Sequence, residues 1–168
     1  KDGKVLAVHA DIEDEDQTVK VTVPEIGTKA TVNGKKEVTA SGRVKIEDIV
    51  SYKNLTPGKE YAVKGVLMNK ATGEPLLADG KEIRSSFTFK PDKPDGEINI
   101  TFVFDASGLK TATEIVVFET LYRDGTEIAA HADLKDEGQT VKITPPTPDN
   151  PQTGDNSNLG FWIGLGAV

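Results

Sequence analysis

One pattern stands twice in this chain of 168 residues. His9-Ala-Asp11-Ile-Glu-Asp14-Glu-Asp-Gln17 and His131-Ala-Asp133-Leu-Lys-Asp136-Glu-Gly-Gln139 both read His-x-Asp-x-x-Asp-x-x-Gln. The likeness extends outward on both sides. Lys1-Asp-Gly-Lys-Val answers Arg123-Asp-Gly-Thr-Glu, and Gln17-Thr-Val-Lys-Val answers Gln139-Thr-Val-Lys-Ile. Gln139 less Gln17 gives an offset of 122 residues. Solenoid units recur every ~20–50 residues, so this period is too long for one. It is the size of a globular domain. The repeat therefore predicts that residues 1–23 are the final strands of a truncated preceding copy, and that residues 24–144 are a complete one.

Alternation of apolar and polar residues dominates the complete copy, and it predicts strands. They fall at Ile26–Val32, Gly42–Tyr52, Tyr61–Met68, Glu82–Phe89, Ile98–Phe104, Glu114–Leu121, Glu127–His131 and Gln139–Thr144. Asn33-Gly34, Pro57-Gly58, Asp105-Ala-Ser-Gly108 and Asp124-Gly125 are turn signals between them. Lys4–His9 and Gln17–Val23 read as two further strands, ended by Pro24. No amphipathic helix of useful length stands out. The expectation is an all-β, immunoglobulin-like sandwich. The Cys–Trp–Cys hallmark of antibody domains is missing, so only the architecture is implied.

Three polar residues fall on faces that alternation assigns to the core. Thr28 shares parity with Ile26 and Ala30, while Thr31 goes with Lys29 to the outer face. Asp48 shares parity with Val44, Ile46 and Val50, and Glu119 with Ile115 and Val117. Buried carboxyl groups are costly unless paired, hydrogen-bonded or protonated. Two of them in one small domain point to a polar constellation with a purpose.

Composition excludes several classes. A net charge of −7 lacks the basic face that nucleic acid requires. The chain has no cysteine, so no disulfide can brace it. The acidic loop Asp11–Asp16 does not have EF-hand spacing, and no zinc-ligand or Ser–His–Asp arrangement stands out, so neither metal nor cofactor is expected. After Thr144 the character changes. Residues 145–158 are Pro-rich and predict a disordered linker. Residues 159–168 are apolar but too few to cross a bilayer, which takes about 20. They read as the start of a truncated anchor segment.

Four motifs in order now carry a resemblance. They are Ile26-x-Thr28-x-Ala30, the run Asp48-Ile-Val-Ser-Tyr-Lys-Asn-Leu-Thr-Pro-Gly-Lys-Glu-Tyr61, Val116-Val-Phe-Glu119-Thr-Leu, and His131-x-Asp-x-x-Asp-x-x-Gln139. Together they closely resemble the VaFE-repeat, or Thr–Gln ester-bond, domains that form stalks of Gram-positive surface adhesins. The resemblance covers Pro24 to Thr144, and the earlier tail matches as well. It implies a self-made crosslink in which the Thr28 hydroxyl attacks the Gln139 amide and ammonia leaves. Asp48, Glu119 and His131 would assist, with the division of labour among them open. His131 would relay a proton or hold a carboxylate in place. Gln17 lacks partners in this chain and should stay an ordinary amide. Such chemistry is single-turnover on the chain itself, so the resemblance implies no enzyme in the usual sense.

Asn150-Pro151-Gln152-Thr153-Gly154 resembles the sortase sorting signal Leu-Pro-x-Thr-Gly, with Asn in place of the first Leu. That likeness implies cleavage after Thr153 and transfer to peptidoglycan or a pilin. The reading is therefore a stalk domain of a secreted, cell-wall-anchored adhesin on a Gram-positive surface. Its partners would be a sortase, the wall and neighbouring repeats, with a host ligand for the whole protein. The alternative is a ligand-binding adhesin module that grips host protein or glycan through the loop Asn69–Lys81.

Overall fold

The computed structural model describes residues 7–147. In chain order the strands are β1 (Glu25–Val32), β2 (Glu37–Thr39), β3 (Arg43–Lys53), β4 (Tyr61–Asn69), β5 (Glu74–Pro75), β6 (Leu77–Ala78), β7 (Lys81–Glu82), β8 (Arg84–Phe89), β9 (Gly96–Asp105), β10 (Thr113–Arg123), β11 (Thr126–His131) and β12 (Thr140–Thr144). Short 3-10 helices occupy Glu15–Gln17 and Ala106–Gly108.

Two sheets face each other, as the alternation requires. One runs β1-β3-β9 and is antiparallel throughout. The other runs β2-β12-β10-β4-β5, with β11 also on β10 and β8 also on β4. A small β6–β7 hairpin lies apart. The inward residues of both sheets merge into one core. Ala30, Val44, Ile46, Val50 and Phe102 come from the first, and Val63, Leu67, Ile115, Val117, Leu121 and Ile143 from the second. This is the all-β, immunoglobulin-like sandwich expected. Turn chemistry closes the hairpins where the sequence signalled it. Asn33 and Gly34 have φ of 48° and 77°, and Asp124 and Gly125 have 51° and 78°. Positive φ at both central positions matches the twist of the flanking strands.

One feature of the topology builds the site. β10 is long, and two strands share one of its edges. β12 pairs with Thr113–Val116, while β11 pairs with Glu119–Arg123. The turn that links β11 to β12 enters the gap between them. There the Val117 amide donates to the Gln139 carbonyl at 3.2 Å. β1 closes over the same gap, with the Ala30 amide donating to the Gly138 carbonyl at 2.9 Å.

Two expectations need correction, and one strand was not foreseen. Gln17–Val23 is not a strand; residues 18–24 have no regular structure. Alternation makes a strand only against a neighbour, and among the described residues none pairs with it. Val19 and Val21 are each 83% exposed. The run Glu82–Phe89 is interrupted at Ile83, whose side chain is buried and whose carbonyl accepts from the Leu67 amide at 3.0 Å. The short strand β2 carried no alternation signal and exists because it pairs in parallel with β12. The expected strand from residue 4, the disordered Pro-rich tail, the sorting signal Asn150–Gly154 and the anchor segment lie wholly or partly outside the described residues.

Candidate functional site

Each sheet contributes one carboxyl group to the core. Asp48 sits on β3 opposite Ala30 of β1 and Ile100 of β9. Glu119 sits on β10 between Gly65 of β4 and His131 of β11. Asp48, Glu119 and Gln139 are all fully buried. Gly65 makes room for the Phe102 ring beside Glu119. A Cβ at that position would lie 2.5 Å from the Phe102 ring and 3.6 Å from Glu119 Oε1. Any side chain there would displace the ring, while the carboxyl group lies at ordinary contact distance.

Thr28 and Gln139 meet across this pocket. Gln139 Nε2 donates to Thr28 Oγ1 at 2.7 Å and to Glu119 Oε2 at 3.2 Å, and lies 3.4 Å from the His131 carbonyl. The two residues are 111 positions apart in the chain. Thr28 points inward with Ala30 and Val32, as parity requires, and Lys29 is exposed. Thr31 is on the opposite face of β1 and lies outside the constellation.

Four buried oxygens have no conventional partner: Asp48 Oδ1 and Oδ2, Glu119 Oε1 and Gln139 Oε1. Two ionised carboxylates cannot satisfy each other, but a carboxylic acid can donate to a carboxylate. The electrostatics favour that arrangement. Burial pushes the Glu119 carboxyl up to about 11, reinforced by its hydrogen bond to Asp48 and by Asp48's charge. Burial likewise raises Asp48, against the lowering effect of its Glu119 bond, the Lys29 backbone and Lys36. At neutral pH the pair therefore holds at least one proton, shared between the two sheets. Gln139 hydrogen-bonds to Glu119, and Thr28 and Gln139 both act to lower that carboxyl against the effect of burial.

The His131 ring bonds to neither Thr28 nor Gln139. Its Nε2 lies 2.7 Å from Asp136 Oδ2, and its Nδ1 faces the Ile26 carbonyl at 3.4 Å. Asp136 in turn accepts from the Gly138 amide at 2.6 Å, and its carbonyl accepts from the Thr140 hydroxyl at 2.7 Å. Burial alone would raise the Asp136 carboxyl, but His131 and the Gly138 and Gln139 amides together hold it below the usual range. The imidazole thus fixes the turn that presents Gln139. The ring reaches that turn through Asp136.

The earlier copy of the motif makes the same bonds. His9 Nε2 lies 2.6 Å from Asp14 Oδ2, and the Asp16 amide donates to Asp14 Oδ1 at 2.9 Å. The Thr18 hydroxyl donates to the Asp14 carbonyl at 2.9 Å. Asp11 and Asp133 each accept from the amide two residues on, both at 2.9 Å. The first copy is largely exposed, yet its turn closes as the second does. The motif is therefore a locally encoded turn whose last residue is always the glutamine.

An all-β sandwich whose first strand and last turn appose a threonine hydroxyl and a glutamine amide in a buried carboxyl pocket defines a class built for internal crosslinking. The chain belongs to the T-Q ester bond containing domain family, whose family model matches residues 1–21 and 24–143. Comparison with curated proteins gives no match. Among solved structures, the fold is similar to a bacterial adhesin from Mobiluncus mulieris described as containing intramolecular disulfide, isopeptide and ester bond cross-links. One crystal form aligns with a TM-score of 0.64 at 20% identity, and a second with 0.63 at 20%. In both, the alignment covers 74% of this chain and 58% of the adhesin's.

Two contributors escaped the sequence reading. Gly65 could have been suspected as a lone glycine inside a strand pattern, which marks close approach by another group. Lys36 gave no signal, because one lysine beside a turn is ordinary.

Proposed function

We propose that this domain forms an ester between Thr28 Oγ1 and Gln139 Cδ, releasing ammonia. The observation that carries the proposal is the 2.7 Å contact between the two side chains inside a buried carboxyl pocket. A threonine hydroxyl needs a base, and an amide needs acid assistance to expel nitrogen. Glu119 accepts from the Gln139 amide that Thr28 also accepts from, and Asp48 is the second carboxyl group of the pair. The carboxyl pair takes the hydroxyl proton and returns a proton to the departing nitrogen. The C–O bond forms, the C–N bond breaks, and the pair ends with the protons it began with. His131 and Asp136 act as positioning residues that hold the turn. Folding supplies the proximity, for which effective molarities reach ~10⁵–10⁸ M. The reaction occurs once per chain, so the domain is not a turnover enzyme.

The family and the similar adhesin fold support a wider reading. The domain is a stalk module of a secreted adhesin, anchored by a sortase acting between Thr153 and Gly154 on a Gram-positive surface. Force applied at the two ends of such a module would load β1 and the β12 region, the elements the ester ties together.

Intact mass of the purified chain tests the crosslink. The chain should be lighter than its sequence by one ammonia. Thr28→Ala should restore the full mass, and Thr31→Ala should not. A wild-type chain of full mass would overturn the reading. Incubation with a sortase and an amine acceptor tests the anchor, with cleavage anywhere except after Thr153 counting against it.

A further inference from the structure

We infer that Lys36 is a positioning residue for ester formation: its ammonium clamps the turn that carries Gln139 against the β1 side of the pocket. This rests on the crosslink reading above and adds a residue to it. Lys36 is an exposed residue, but its ammonium reaches over the turn. Nζ donates to the carbonyls of Glu137 at 3.1 Å, Gly138 at 2.6 Å and Thr140 at 3.1 Å. An ammonium has three N–H groups, and all three are used. These carbonyls flank Gln139 on both sides.

The clamp is itself anchored. The Lys36 carbonyl accepts from the Lys142 amide at 2.8 Å, and the next residue, Glu37, opens β2 in parallel register with β12. Gly138 O receives Lys36 and the Ala30 amide together. A single carbonyl thereby joins the electrophile's turn to the nucleophile's strand. Thr28 lies two residues from Ala30 on the same face of β1.

Charge adds a second effect. Lys36 faces Lys29 from β1, Asp48 from β3, and Asp136 and Glu137 from the turn. Burial, then Lys29, pushes its ammonium below the usual lysine range. Its charge in turn favours the ionised form of Asp48. Removing that charge should make the carboxyl pair hold its proton to higher pH.

The test uses the full chain made by cell-free pulse synthesis, trapped in urea and diluted into buffers from acid to alkaline. Intact mass is followed with time. Lys36→Met should slow loss of ammonia by roughly ten- to a hundredfold, the scale expected when reacting groups are displaced by about an ångström. The carboxylate limb of its pH–rate profile should move upward, and Lys36→Arg should recover most of the rate. A Lys36→Met chain that matches wild type in rate and profile would overturn the inference. So would a slowed variant whose profile is unmoved and which Lys36→Arg does not rescue. Failure of the wild type itself to lose ammonia would sink the crosslink reading instead. Hydrogen exchange then judges the clamp alone. In uncrosslinked Thr28→Ala chain, adding Lys36→Met should deprotect the amides of Gly138, Gln139 and Thr140, and unchanged protection would refute it.

Discussion

Thr28→Ala should cost the domain more stability than any ordinary strand substitution. The ester would close a loop spanning 111 positions between Thr28 and Gln139. On the chain-entropy treatment of crosslinks, a loop of that length is worth about 5 kcal/mol. For a domain between the small and medium classes, each kcal/mol moves Tm by about 3–5 °C. The expected fall is therefore about 15–25 °C. Thr28→Ser keeps the hydroxyl, should still lose ammonia, and should melt within about 5 °C of wild type. Circular dichroism melts, each paired with an intact mass, make the comparison. If wild type is crosslinked, Thr28→Ala is not, and the two melt within about 5 °C of each other, the loop-closure reasoning is wrong.

Glu119→Gln removes the carboxyl group bonded to the Gln139 amide, and crosslinking should slow by roughly 10²–10⁴-fold, the usual share of acid–base assistance; intact mass against time measures it. The pH dependence of the uncrosslinked Thr28→Ala chain follows from the raised carboxyl groups. Glu119 is pushed from 4.5 to about 11 and Asp48 is raised as well, so the folded state holds more protons than the unfolded state between those values. Stability should be greatest at the acid end of that window and fall as pH rises, by up to about 1.4 kcal/mol per pH unit for each proton involved. Urea midpoints at successive pH values test this, and adding Glu119→Gln should flatten the slope. Gly65→Ala forces a methyl to within 2.5 Å of the Phe102 ring. Overpacking of that kind should cost about 1–3 kcal/mol in the Thr28→Ala background, and an unchanged urea midpoint would count against it.

Much of the architecture was legible because alternation has a period of two and this chain keeps it. The parity of Val44, Ile46 and Val50 placed Asp48 in the core, and that of Ile115 and Val117 did the same for Glu119. Parity also separated Thr28 from Thr31. What stayed hidden is what parity does not encode. The shared edge of β10, with β11 and β12 end to end, is a tertiary arrangement, and it alone explains why Gln139 sits in a turn rather than a strand. The direction of the His131 ring depends on Asp136, five residues on, and the motif repeat shows that the two belong together without showing how. Lys36 acts through backbone carbonyls, which are the same whatever the sequence. Gln17–Val23 carried a strand pattern with no neighbour among the described residues to complete it.

The gap along β10 has a consequence for the order of events. The Gln139 turn is seated by the Val117 amide, the Ala30 amide and the His131–Asp136 pair, which reach it from three different strands. Until those strands have assembled, the amide has no fixed place and the two carboxyl groups have no reason to share a proton. The proposed reaction would thus be conditional on a finished fold, and once run it would not be undone by later fluctuation. Each molecule would carry a permanent mark that it had folded correctly at least once. The missing mass of one ammonia would be a readable history, separating chains that completed the sandwich from those that never did.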